Sequence, residues 1–129
     1  APSLEDAAKV DQAFRALGSQ LPGARLVVTG GFERPPMERS AGVAALYAHA
    51  QAAAAALGQT VAEGGTGGGS DGNFTAALGV PTLDGLGAVG DGAHAIHEHV
   101  ELDSLLPRTA LLAALIARLL SPEGVLPPR

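Results

Sequence analysis

The chain has 129 residues, 8 Lys plus Arg against 13 Asp plus Glu, no Cys, and 47% hydrophobic residues. That length suits about one domain, able to bury roughly two-thirds of its unfolded surface. A formal charge of −5 gives no basic footprint for nucleic acid or an anionic membrane, so neither is expected as a partner.

The absence of Cys removes any disulfide framework or thiolate zinc site and leaves the redox compartment open. Apolar runs fall short of the ~18 residues of a membrane span, and no secretory leader pattern is seen. A cytoplasmic location is expected, with the periplasm left open. Aromatics are Phe14, Phe32, Tyr47 and Phe74 alone. A core of Ala, Leu and Val buries little area per element and must pack closely.

Ser3 and Asp6 form a capping-box-like pair that opens a helix, with Leu4, Ala7, Ala8, Val10, Phe14 and Leu17 as its apolar stripe up to Gly18. Residues 24–29 read as a strand stopped by Gly30-Gly31. Glu33 to Met37 must be extended, because each Pro disfavours helix in the residue before it. A long Ala-rich helix runs from an N-cap at Ser40 to Leu57, with Gly58 at its C-terminal cap.

Residues 60–63 read as a short strand leading into the glycine-rich stretch 64–73. A short helix follows from Asn73 to Leu78, then a strand over 80–83 and a second glycine loop over 85–92. His94, His97 and His99 come next. Asp103 or Ser104 is expected to cap a last helix to Leu120, before a loose Pro-rich tail over 121–129. Alternating helices and strands predict an α/β arrangement. The chain opens at a helix cap, and the strand at 24–29 has no neighbour in sequence to pair with. It therefore reads as an excerpt.

Four features could carry chemistry. Residues 67–72 spell G-x-G-x-x-G, and Asp91 stands at the spacing of a ribose-binding acid. The strand before the motif is weak, the helix after it is short, and no Walker Lys is present, so a nucleotide site is a poor fit. The run of Gly suits close approach of a ligand to backbone N–H groups better than a plain turn.

In the cluster of His94, His97, His99, Glu98, Glu101 and Asp103, imidazole and carboxylate suit zinc. The spacing matches neither metalloprotease order. One or two ligands, or a solvated loop, both remain open. Arg34, on a segment stiffened by Pro35-Pro36, would make a bidentate carboxylate clamp, against the commoner case of a solvated Arg. His49, mid-helix, is assigned no role.

The order strand, Gly-Gly, Arg34-Pro35, long helix, Thr66-Gly67-Gly68-Gly69-Ser70-Asp71-Gly72-Asn73-Phe74, Gly79-Val80-Pro81, then Gly90-Asp91-Gly92-Ala93-His94 with Glu98 four beyond, resembles a known family. It is that of glutamate carboxypeptidase, aminoacylase and succinyl-diaminopimelate desuccinylase, over about residues 3–120. These are dizinc hydrolases of amide bonds next to a carboxylate.

The resemblance implies that His94 is a zinc ligand and that Arg34 grips the substrate's free carboxylate. It also implies that Gly68, Gly69 and Ser70 line the substrate groove, with Asn73 adding a polar contact. Residues 1–33 would be the C-terminal half of the lid, or dimerisation, domain, and 34–39 a hinge. Residues 40–120 would be the C-terminal part of a zinc-exopeptidase-like α/β catalytic domain.

The remaining ligands of the two zinc ions and the general base would come from an N-terminal catalytic segment outside these residues. One His and one Arg cannot bind two ions, activate water and accept its proton. The parent would then be a zinc-dependent peptidase or amidohydrolase and a homo-oligomer, its substrate a small carboxylate-bearing peptide or N-acyl amino acid. The 129 residues alone would be inactive. The competing expectation is a non-catalytic binding or oligomerisation module that keeps the lid surface.

Overall fold

The computed structural model describes residues 1–122. Of the expected loose tail, residues 123–129 lie outside the described residues. Among the described residues four helices form: α1 (Leu4–Arg15), α2 (Ala41–Ala56), α3 (Gly72–Ala77) and α4 (Leu102–Leu119). A two-stranded antiparallel sheet joins β1 (Gly90–Asp91) to β2 (His99–Val100), pairing Gly90 with Val100 and Asp91 with His99. The α/β expectation thus holds coarsely, as helices with one small sheet. The chain divides into two compact units, residues 1–39 with 65–80, and residues 40–64 with 81 onward.

In the first unit, Ser3 caps α1 by accepting the Asp6 N–H at 3.0 Å, and its hydroxyl donates to the Asp6 carboxylate at 2.8 Å. The capping box is therefore closed through the hydroxyl, satisfying one of the helix's orphan donors. Arg15 donates Nε and Nη2 to Asp11 and reaches the Gly30 carbonyl at 3.0 Å. The hydrogen bond to Asp11, and then its charge, raise the guanidinium pKa.

The helix ends at Arg15 with Ala16 as its C-cap, ahead of Gly18. Its stripe is largely uncovered, with Val10, Phe14 and Leu17 all exposed. A shallow cleft of about 180 Å³ lies beside it, lined by residues that include Val10, Phe14, Val28 and Phe32. Among the described residues of this unit, Ala7 is the one buried apolar side chain and Asn73 the one buried polar side chain.

The second unit holds the core. Ala50, Ala53 and Ala54 of α2 pack on Leu111 and Leu115 of α4, with Val61, Leu83 and Leu86 flanking them. Leu111 is wholly buried. Ser40 caps α2 by accepting the Val43 N–H at 3.2 Å. At its other end, Gly58 adopts φ +67°, its N–H bonds Ala55, and the Gln59 N–H bonds Ala54. This is a Schellman closure, which needs a residue free to take left-handed backbone.

Helix α4 starts two to three residues earlier than the sequence predicts, with Glu101 rather than Asp103 or Ser104 at its N-cap position. Ser104 instead accepts the Val89 N–H at 2.9 Å and donates to the Glu101 carbonyl at 2.6 Å. Pro107 sits inside α4, where its missing N–H removes one helix bond. No helix among the described residues is long and apolar enough to cross a membrane.

The strands expected at 24–29, 60–63 and 80–83 do not form. A strand exists only through a ladder to a partner, and none of the described residues pairs with these segments in one. Residues 60–63 are held instead by the Tyr47 hydroxyl, which donates to the Val61 carbonyl at 3.0 Å. In 80–83, Pro81 lacks a ladder donor, and its ring lies against Gly42 of α2. A Cβ on Gly42 would come within 2.7 Å of it.

Candidate functional site

Arg34 lies against the glycine-rich loop in the first unit. Its Nη1 donates to Asp71 Oδ1 at 2.9 Å, across 37 residues of sequence. Its guanidinium carbon stands 5.0 Å from the centroid of the Phe74 ring, inside the range of a cation–π contact. Gly69 backs onto the same side chain, since a Cβ there would come within 3.1 Å of Arg34 Cδ. The Nε and Nη2 donors of Arg34 form no hydrogen bond among the described residues. That is the edge that takes a carboxylate bidentately.

The rest of the loop is built by its own polar side chains. Asn73 accepts the Ser70 N–H at 2.7 Å and donates to the Pro35 carbonyl at 2.7 Å. Its amide therefore ties the loop to the proline segment that carries Arg34. Ser70 Oγ accepts the Gly72 N–H at 3.0 Å, and Thr66 Oγ1 accepts the Gly68 N–H at 3.2 Å. Gly79 at φ +78° closes α3, with its N–H on Ala76 and the Val80 N–H on Thr75. Arg34, Gly68, Gly69, Ser70 and Asn73 thus belong to one unit.

His94 lies in the other unit, on the connection between β1 and β2. It adopts φ +67°, alone among the described non-glycine residues. The Ala95 N–H bonds the Gly92 carbonyl at 2.8 Å, so His94 is the third residue of a β-turn. With positive φ that position favours Gly or Asn. Glu98 Oε2 accepts the His94 N–H at 3.1 Å, and the Glu98 N–H returns to Ala95. The His97 ring packs over Gly92, where any Cβ would strike it at 2.6 Å. His99 Nδ1 faces the His97 carbonyl at 3.0 Å.

The three imidazoles therefore have separate settings. No group of three or more His, Asp or Glu side chains among the described residues could hold a metal ion. The donors present do not make a complete metal centre. Left-handed backbone at a non-glycine residue does mark His94 as a position under constraint.

Asp71 and Phe74, as partners of Arg34, escaped the sequence analysis. Arg108 did too: its Nε donates to the Gly87 carbonyl at 2.7 Å and its Nη2 to the Gly85 carbonyl, which pins the second glycine loop. A Lys or Arg three to six residues into a helix that follows a glycine loop is the signal that could have found it.

The profile of peptidase family M20/M25/M40 matches residues 6–118, and the chain belongs to this family. Membership supports the hydrolase and metallopeptidase class, in a family that is generally metal-dependent. Neither the curated proteins nor the solved structures contain a match to it.

Proposed function

We propose that the chain is the C-terminal portion of a dizinc hydrolase that cleaves an amide or peptide bond next to a free carboxylate. The substrate is a small peptide or N-acyl amino acid of the glutamate-carboxypeptidase or deacylase kind. Residues 1–33 contribute half of the lid domain, 34–39 the hinge, and 40–120 the C-terminal part of the catalytic domain. The observation that carries this reading is Arg34, seated against Asp71 and Phe74 with its bidentate edge unused.

Family membership supports the reaction class. His94, presented on a constrained turn, supplies one zinc donor. The other donors and the general base come from a segment outside these residues, so the 129 residues alone are inactive. Zinc is the metal in this reading because imidazole and carboxylate are donors it accepts. The exposed apolar stripe of α1 favours a second reading, a non-catalytic binding or oligomerisation module.

The test is hydrolysis of N-acetyl amino acids by a polypeptide carrying this segment behind the remaining catalytic residues. Arg34→Ala lowers kcat/KM by ~10²-fold for substrates with a free carboxylate. Arg34→Lys rescues poorly, and carboxamide-capped substrates are indifferent to the change. Equal rates for the wild type and Arg34→Ala on the free acids would remove Arg34 from the site.

A further inference from the structure

Three features stand outside the roles assigned so far: the cleft beside α1, the Arg118–His49 contact, and the surroundings of Arg34. The cleft is small against the roughly 300 Å³ of a ligand pocket, and nothing shows what would fill it. Arg118 Nε donates to His49 Nδ1 at 3.2 Å, which sets the tautomer of a half-buried ring but points to no ligand. The surroundings of Arg34 carry more.

We propose that Asp71 and Phe74 are positioning residues for Arg34, fixing one end and one face of its guanidinium so that the Nε–Nη2 edge meets the substrate carboxylate. This rests on the reading of Arg34 as the carboxylate grip.

Asp71 is the residue before α3, and Phe74 is the third residue within it. One helical turn therefore carries both partners, and they move together. Asp71 takes a single hydrogen, on Nη1. A carboxylate placed to compete with substrate would take the two parallel hydrogens of the Nε–Nη2 edge, which is the stronger arrangement. Leaving that edge unused is what a support does.

The guanidinium carbon lies over the Phe74 ring, a contact that opposes a rotation swinging the free edge away. Gly69 lets the loop lie against Arg34 Cδ, where a side chain would crowd the stem. An unsupported Arg loses considerable rotamer freedom on gripping a ligand. Here part of that ordering is done before the ligand arrives.

The seat is shallow. The Asp71 side chain is 93% exposed and that of Arg34 44%. Each partner should therefore change affinity by a few-fold, not by orders of magnitude.

The experiment uses the 129-residue chain labelled with ¹⁵N-arginine, with N-acetyl-L-glutamate as the probe. The Arg34 Nε–Hε resonance, assigned by its loss in Arg34→Lys, should show restricted motion and shift saturably with the probe. Asp71→Asn and Phe74→Leu should each loosen that group and weaken probe binding by about two- to fivefold. The α2 amides should stay unchanged, and Phe74→Tyr should restore the wild-type behaviour.

Tighter probe binding in Asp71→Asn would make Asp71 a competitor and overturn the proposal. So would unchanged Arg34 motion in both variants. If the variants loosen Arg34 while wild-type Nε–Hε ignores the probe, the seat stands and the grip reading fails.

Discussion

The carboxylate of Glu98 holds the backbone N–H of His94 at 3.1 Å, and the residue so held sits at φ +67°. Left-handed backbone costs a non-glycine residue roughly 1–2 kcal/mol, and a hydrogen bond to a charged acceptor offsets a cost of that size. Glu98→Ala should expose the His94 amide to exchange about tenfold faster, whereas Glu98→Gln should retain most of the protection. His94→Gly should stabilise the turn by about 1 kcal/mol while losing the imidazole. Thermal unfolding with amide exchange reads both effects, and unaltered exchange in Glu98→Ala would show that the carboxylate bears no load.

Gly42 of α2 sets two effects against each other. Alanine there gains helix propensity of up to about 1 kcal/mol, but its Cβ would stand 2.7 Å from Pro81 Cγ. A rigid ring cannot yield that distance, so Gly42→Ala should lower stability by about 1–3 kcal/mol. In a Pro81→Ala background the sign should reverse. A double-mutant cycle in denaturant measures the coupling, and simple additivity would contradict the contact.

What was legible in the sequence was what each segment decides locally. Ser3 and Ser40 cap helices through their own side chains, and Gly58 and Gly79 close helices through their own φ. The segments 24–29, 60–63 and 80–83 have strand-like residues, but a ladder depends on a neighbour, and local pattern cannot supply one. The sheet that does form joins Gly90–Asp91 to His99–Val100, which is poor strand chemistry held by its register. At the candidate site, the residue types of Arg34, Gly69 and His94 drew attention through motif and resemblance. The Arg34–Asp71 pairing spans 37 residues, and nothing local encodes it.

Zinc should bind the 129 residues only weakly. A closed site wants four donors, and His94 is not joined by enough His, Asp or Glu side chains among the described residues to make even three. Calorimetric titration should give no saturation at micromolar metal. Tight, stoichiometric binding lost in His94→Ala would mean a local site that recruits His97 or His99.

The exposed stripe of α1 should make the chain self-associate. Phe14 is 56% exposed and Leu17 55%, on a unit with little apolar burial of its own, and uncovered apolar surface drives association. Sedimentation at several concentrations should show a mass that rises with concentration, and Phe14→Ser should lower it. A sharp monomer throughout would refute this.

The contact of Ala50, Ala53 and Ala54 with Leu111 and Leu115 divides mutational tolerance unequally between two helices. The alanine side already presents the smallest side chain a helix favours, so change there can only add bulk and push the helices apart. On the leucine side, a smaller residue opens a void. One partner is barred from growing and the other from shrinking, so drift on this surface calls for paired exchanges: a larger residue on α2 arriving together with a smaller one on α4.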